Sequence, residues 1–186
     1  MVTVSNSRVT PASYSAAAKV MHWFVAFVVI LLLILGPVMK RLVPEGSVRD
    51  NLYNFHEALG ALVLIVMVVR LARRVAFGVP APDASMPPVE QRASLWAQYL
   101  LYVLLFVTTV LGWAGTNAYG DPVSVFGLFD FPTILGKDQP LSDRIIVWHL
   151  ICGILIGLIV ALHIAGALYH WLVKGDRVLQ RVLPGN

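Results

Sequence analysis

Five histidines, His22, His56, His149, His163 and His170, stand in or beside long apolar stretches. Imidazole nitrogens bind metals and move protons. An ionisable residue at membrane depth is costly enough to imply a use. Three of the five share WHLICGILIGLIVALHIAGALYHW, which begins at Trp148 and ends at Trp171. His163 follows His149 by fourteen residues, and His170 follows seven later. Fourteen residues advance a helix by about 21 Å and nearly four turns. His149 and His163 therefore face one side at two depths.

The elements that must carry these residues are membrane helices. The chain has 186 residues, 58% hydrophobic and only 13% charged, where soluble domains carry about 25% charged residues. Apolar stretches run roughly over 20–39, 52–72, 94–115 and 145–173. Each approaches or exceeds the ~20 residues a helix needs to cross a bilayer. No small-x-small cleavage site follows the first stretch, which reads as a span rather than a secretory signal. The expected fold is all-α: an integral membrane four-helix bundle.

Lys and Arg bias orients it. With the N-terminus cytoplasmic, the inner side holds nine bases: Arg8, Lys19, Arg70, Arg73, Arg74, Arg92, Lys174, Arg177 and Arg181. The outer side holds five: Lys40, Arg41, Arg49, Lys137 and Arg144. Both termini are then cytoplasmic. The expected organisation is an N-terminal tail over 1–18, a four-helix domain over 19–174 and a basic tail over 175–186. Loops are expected at 40–51, at 75–92 with four prolines, and at about 116–144. The last is aromatic and rich in Gly and Pro, and reads as a cap over the outer end. The net charge of +4 does not suggest nucleic acid. Cys152, the single cysteine, reads as a small buried hydrophobe.

Depth sorts four histidines into pairs. His56 and His149 stand near the outer ends of their helices, and His22 and His163 near the inner ends. Two stacked pairs of facing imidazoles match two bis-histidine haems within a bundle. They would be b-type, since no Cys-x-x-Cys-His is present. A zinc or copper site would ordinarily add carboxylates or thiolates, and Glu57 is the only acid expected within a helix. His56 and His149 are each followed four residues later by glycine, Gly60 and Gly153. That position shares the histidine's face, so glycine leaves room for a flat porphyrin. Gly153 and Gly157 also form G-x-x-x-G, a helix-packing pattern.

Arg70 stands fourteen residues after His56, on the same face and near the depth of His163. It reads equally as a partner for a haem propionate or as a side chain reaching the inner headgroups. His170 reads as an interfacial histidine near a haem edge, or as a proton donor to a quinone head group. The third helix carries no histidine and reads as a packing wall.

These residues resemble the bacterial cytochrome b561 family of small four-helix dihaem membrane proteins. The resemblance covers about residues 14–184. It rests on SAAAKVMHW, FHEALGALVLIVMVVRLARR, GDPVSVFGLF and WHLICGILIGLIVALHIAGALYHWLVKGDRVLQRVLP, in that order. It implies haem ligands at His22, His56, His149 and His163, and a multi-pass place in the bacterial inner membrane. It further implies electron transfer from an external donor, superoxide in at least one member, to membrane ubiquinone. Relatives also serve as haem subunits that anchor periplasmic dehydrogenases. The outer segments hold five bases against seven acids, Glu45, Asp50, Glu57, Asp121, Asp130, Asp138 and Asp143. With that balance, only a local cluster such as Lys40, Arg41 and Arg144 would steer an anion, and the face equally suits docking of a basic periplasmic redox protein. Both donors stay open, and with them whether the protein is an enzyme, a superoxide:ubiquinone oxidoreductase.

Overall fold

In a computed structural model, the structure describes residues 13–83 and 86–184. Four helices dominate: α1 (Ala16–Arg41), α2 (Ser47–Phe77), α3 (Pro88–Tyr119) and α4 (Gln139–Tyr169). A π-helical turn, His170–Lys174, continues α4. A small hairpin, β1 (Ser124–Val125) with β2 (Phe129–Asp130), lies between α3 and α4. All four helices are long and apolar enough to span a bilayer. Runs of Val and Ile stay helical there because lipid offers backbone groups no alternative partner.

The helices outrun the apolar stretches that announce them. Their polar ends continue the hydrogen-bond ladder into the headgroup region. The first loop therefore shrinks to 42–46 and the second to 78–87. Residues 16–18, expected in the tail, form the first turn of α1, where Ser15 Oγ accepts from the Ala18 amide; residues 1–12 lie outside the described residues. Pro88 begins α3, because a first-turn residue needs no amide donor. Asp138 caps α4 by accepting from the Leu141 amide at 3.0 Å. Asp50, Glu90 and Asp143 join Glu57 within helices, so the expectation of a single helical acid does not hold.

Sequential helices pack side by side, most extensively α3 on α4, and α1 meets α4 only narrowly. Among the described residues, no Cα of α2 lies within 8 Å of one of α4. The central core joins Val25, Val28 and Val29 of α1 to Leu59, Val63 and Met67 of α2 and Ile156 of α4. Val63 is 0% exposed and Met67 1%. The outward faces expose Phe27, Ile34, Val68, Leu158 and Leu162. Lipid is as apolar as these side chains, so close packing rather than water exclusion holds the helices together.

The outer loop is built, not loose. Asn117 is buried; its Oδ1 accepts from the Ile134 amide at 2.9 Å and its Nδ2 donates to the Asp121 carbonyl at 3.1 Å. Trp113 donates its indole N–H to the Pro132 carbonyl. Val123 and Val125 pack on Ala61 of α2. The hairpin turns at Phe126 and Gly127, with φ of 54° and 72°, and the Leu128 amide bonds the Val125 carbonyl. Phe126 thereby places its ring 6.0 Å from that of Phe55. At the inner end the C-terminal segment is tied back. Val182 accepts from the Trp23 indole at 2.8 Å, and Arg181 donates to the Ala81 carbonyl.

Candidate functional site

The fold brings the histidines together in two pairs. The rings of His56 and His149 stand 6.1 Å apart, centre to centre, and those of His22 and His163 stand 6.4 Å apart. The first pair joins α2 to α4 across the diagonal, and the second joins α1 to α4. Seven-residue spacing sets the layers. Val29 follows His22 by seven, Val63 follows His56 by seven, and Ile156 lies midway between His149 and His163. All three belong to the core. One apolar layer therefore separates the two pairs, on the helix faces that carry the histidines.

These separations can be compared with metal coordination. Two imidazole–metal bonds of about 2 Å, plus about 1 Å from each nitrogen to its ring centre, span about 6 Å. Both pairs match that span. The ideal Cβ of Gly60, and that of Gly153, would meet no atom within 4 Å, so space is open beside both outer histidines. The donor set, two neutral imidazoles and no thiolate, suits haem iron. The residues present fit a b-type haem at each level. The G-x-x-x-G reading fares less well: a Cβ added at Gly153 would meet nothing within 4 Å, and one at Gly157 only Leu33, at 4.0 Å. Cys152, expected to be buried, is half-exposed.

The four imidazoles are not held alike. Nδ1 of His149 lies 2.9 Å from the Thr108 carbonyl of α3. A carbonyl only accepts, so this nitrogen carries the proton and Nε2 is left free to bind a metal. Nδ1 of His56 is buried with no hydrogen-bond partner. Gly112, also on α3, faces the His149 ring: an added Cβ would lie 3.2 Å from Cε1 and 3.3 Å from Nδ1. The helix expected to be only a packing wall thus supplies both contacts. One contact is a backbone carbonyl and the other a bare glycine, which is why sequence reasoning passes over them.

Arg70 lies at the inner level. Its guanidinium sits 5.7 Å above the Tyr102 ring. Among the described residues it has no carboxylate partner. Arg74 stacks between Tyr99 and Tyr102 and bonds Gln98.

His170 is buried, 8% exposed. Its Nδ1 lies 2.5 Å from Asp176 Oδ2, and its Nε2 lies 3.6 Å from Glu90 Oε2. Lys174 grips the same Glu90 at 2.6 Å. The histidine left outside the two pairs is held between two carboxylates. At the outer end, Thr116 donates to Glu57 at 3.0 Å, and Arg49 pairs with Glu45. Lys40, Arg41, Lys137 and Arg144 have no carboxylate partner among the described residues.

The family described as prokaryotic cytochrome b561 matches residues 13–185. The chain is 30% identical to cytochrome b561 homolog 2 of Escherichia coli (strain K12), over 94% of this chain and 93% of the relative. It is 23% identical to the probable superoxide oxidase CybB of Yersinia pestis, over 92% and 96%. It is 26% identical to cytochrome b562 of Cereibacter sphaeroides, over 91% and 94%.

Proposed function

The chain belongs to the prokaryotic cytochrome b561 family, b-haem electron-transfer proteins of the bacterial inner membrane, and from that premise we propose that it carries electrons from a periplasmic donor to membrane ubiquinone through two haems. The single observation that carries this reading is the pair of facing imidazoles at each of two levels, 6.1 and 6.4 Å apart. His56 and His149 would hold the outer haem, and His22 and His163 the inner. Bound there, each haem supplies a one-electron Fe(III)/Fe(II) couple.

The chain's own residues then position and tune. Val29, Val63 and Ile156 keep water out of the interval between the levels. Gly60 and Gly153 leave a flat face free. Arg70, which lacks a carboxylate partner among the described residues, pairs with a propionate of the inner haem and offsets its charge. His170 gives a proton to the reduced quinone, with Asp176 and Glu90 positioned to return one to the ring.

The donor we favour is superoxide. The named activity of the Yersinia pestis relative supports it, as do Lys40, Arg41, Lys137 and Arg144, outer bases without a carboxylate partner among the described residues, which would draw in an anion. The test combines purified haem-loaded protein, a superoxide source and a ubiquinone analogue. Quinone reduction that depends on superoxide is expected. Its absence in protein that retains both haems points to the second reading, in which the chain is the haem subunit for a basic periplasmic cytochrome or dehydrogenase. The excess of acids over bases in the outer segments favours that reading.

A further inference from the structure

We propose that Gly112, on the one helix without a histidine, is the positioning residue that seats His149 and thereby tunes the outer site separately from the inner one. The inference rests on the haem reading above for its redox part and on coordinates alone for its steric part. The seat has two components. The Thr108 carbonyl accepts a hydrogen bond from Nδ1 of His149 at 2.9 Å, which fixes the tautomer and the rotation of the ring about its bond to Cβ. Gly112 lies four residues later, on the same face of α3. A Cβ built there would meet only the His149 ring, at 3.2 and 3.3 Å. These distances are tighter than ordinary van der Waals contact. The imidazole rests against bare backbone, and a methyl group would push it off the carbonyl.

No equivalent seat exists elsewhere among the described residues. The glycine facing His56 is Gly36, whose added Cβ would sit 3.9 Å from Cε1, an ordinary contact. His56 has no acceptor at Nδ1. Among the described residues, neither inner histidine has a ring hydrogen bond or a glycine whose added Cβ would meet it. Hydrogen bonding at the far nitrogen makes an imidazole a stronger donor to its metal. The seat therefore acts on one ligand of four, and through it on one site of two.

The experiment is a double-mutant cycle with a redox readout. In haem-loaded Gly112→Ala, one midpoint potential and the absorption band of that haem shift while the other haem is unchanged; Gly36→Ala shifts less. Both potentials unmoved would overturn the inference. For a variant that assembles poorly, the melting temperature of the detergent-purified chain is compared in two backgrounds. Gly112→Ala is expected to lower it in the parent and to have no further effect in His149→Ala, where the ring it meets is gone. An equal loss in both backgrounds would mean that Gly112 serves helix packing, and the inference fails. A parent protein without two haems would instead defeat the cofactor reading and leave the steric cycle standing.

Discussion

Nδ1 of His170 lies 2.5 Å from Oδ2 of Asp176, across the π-helical turn that ends α4. The other carboxylate oxygen accepts from the Val178 amide at 3.1 Å, and the Asp176 amide returns a bond to the His170 carbonyl. One side chain thus holds both the histidine and the start of the C-terminal segment. Asp176→Ala is expected to cost about 2 kcal/mol, since a buried partner is left unmet. Lys174→Ala, which breaks a more exposed ion pair, is expected to cost clearly less. Thermal unfolding in detergent compares them, and limited proteolysis should cut the C-terminal segment faster in Asp176→Ala alone.

The histidine pairs give a stoichiometric prediction. His149→Ala removes the outer haem and His163→Ala the inner, so each single variant keeps one haem and the double variant none. Pyridine haemochrome measurement on purified protein reads the count. Two haems retained in either single variant would end the assignment.

Arg70 and Arg74 separate charge from location. Both stack on Tyr102, but Arg70, fourteen residues past His56, stands at the inner histidine level, and Arg74 lies one turn beyond it. A unit charge about 10 Å from a haem, at an effective dielectric of about 20, is worth about 1 to 2 kcal/mol. Losing a positive charge favours the ferric form. Arg70→Leu should therefore lower the inner potential alone, by roughly that amount, and Arg74→Leu should leave both nearly as they were. A redox titration decides. An unchanged curve in Arg70→Leu would return that residue to the headgroup role.

Gly120 ends α3 with φ of 118°, and a Cβ there would come 3.0 Å from the Lys137 side chain. Gly136, in the same loop, has no such backbone constraint and open space around it. Gly120→Ala should cost about 1–2 kcal/mol, the penalty of an L residue in the left-handed region, and Gly136→Ala within about 0.5 kcal/mol. Melting temperatures of the two variants test the contrast.

Much of the architecture was readable without coordinates, because a membrane narrows the choices. Lipid forces each apolar stretch into a helix, and the helical repeat then decides which residues share a face. The facing of His56 with His149, and of His22 with His163, was expected from depth and spacing alone. Helix ends were harder to place. Hydropathy falls off at the headgroups while the backbone ladder continues, so Ser47, Phe77 and Pro88 lie beyond the apolar stretches.

The sequence by itself determined the four spans, the layering of histidines seven and fourteen residues apart, and the two levels they define. Each follows from local periodicity. The tertiary structure alone decided what holds each imidazole. The bond from His149 to the Thr108 carbonyl joins residues 41 positions apart, and the Lys174 bond to Glu90 beside His170 joins residues 84 apart. A backbone carbonyl and a bare glycine carry no side-chain signature. Their role exists only once α3 has packed against α4, and packing between distant segments leaves no period in the sequence to read.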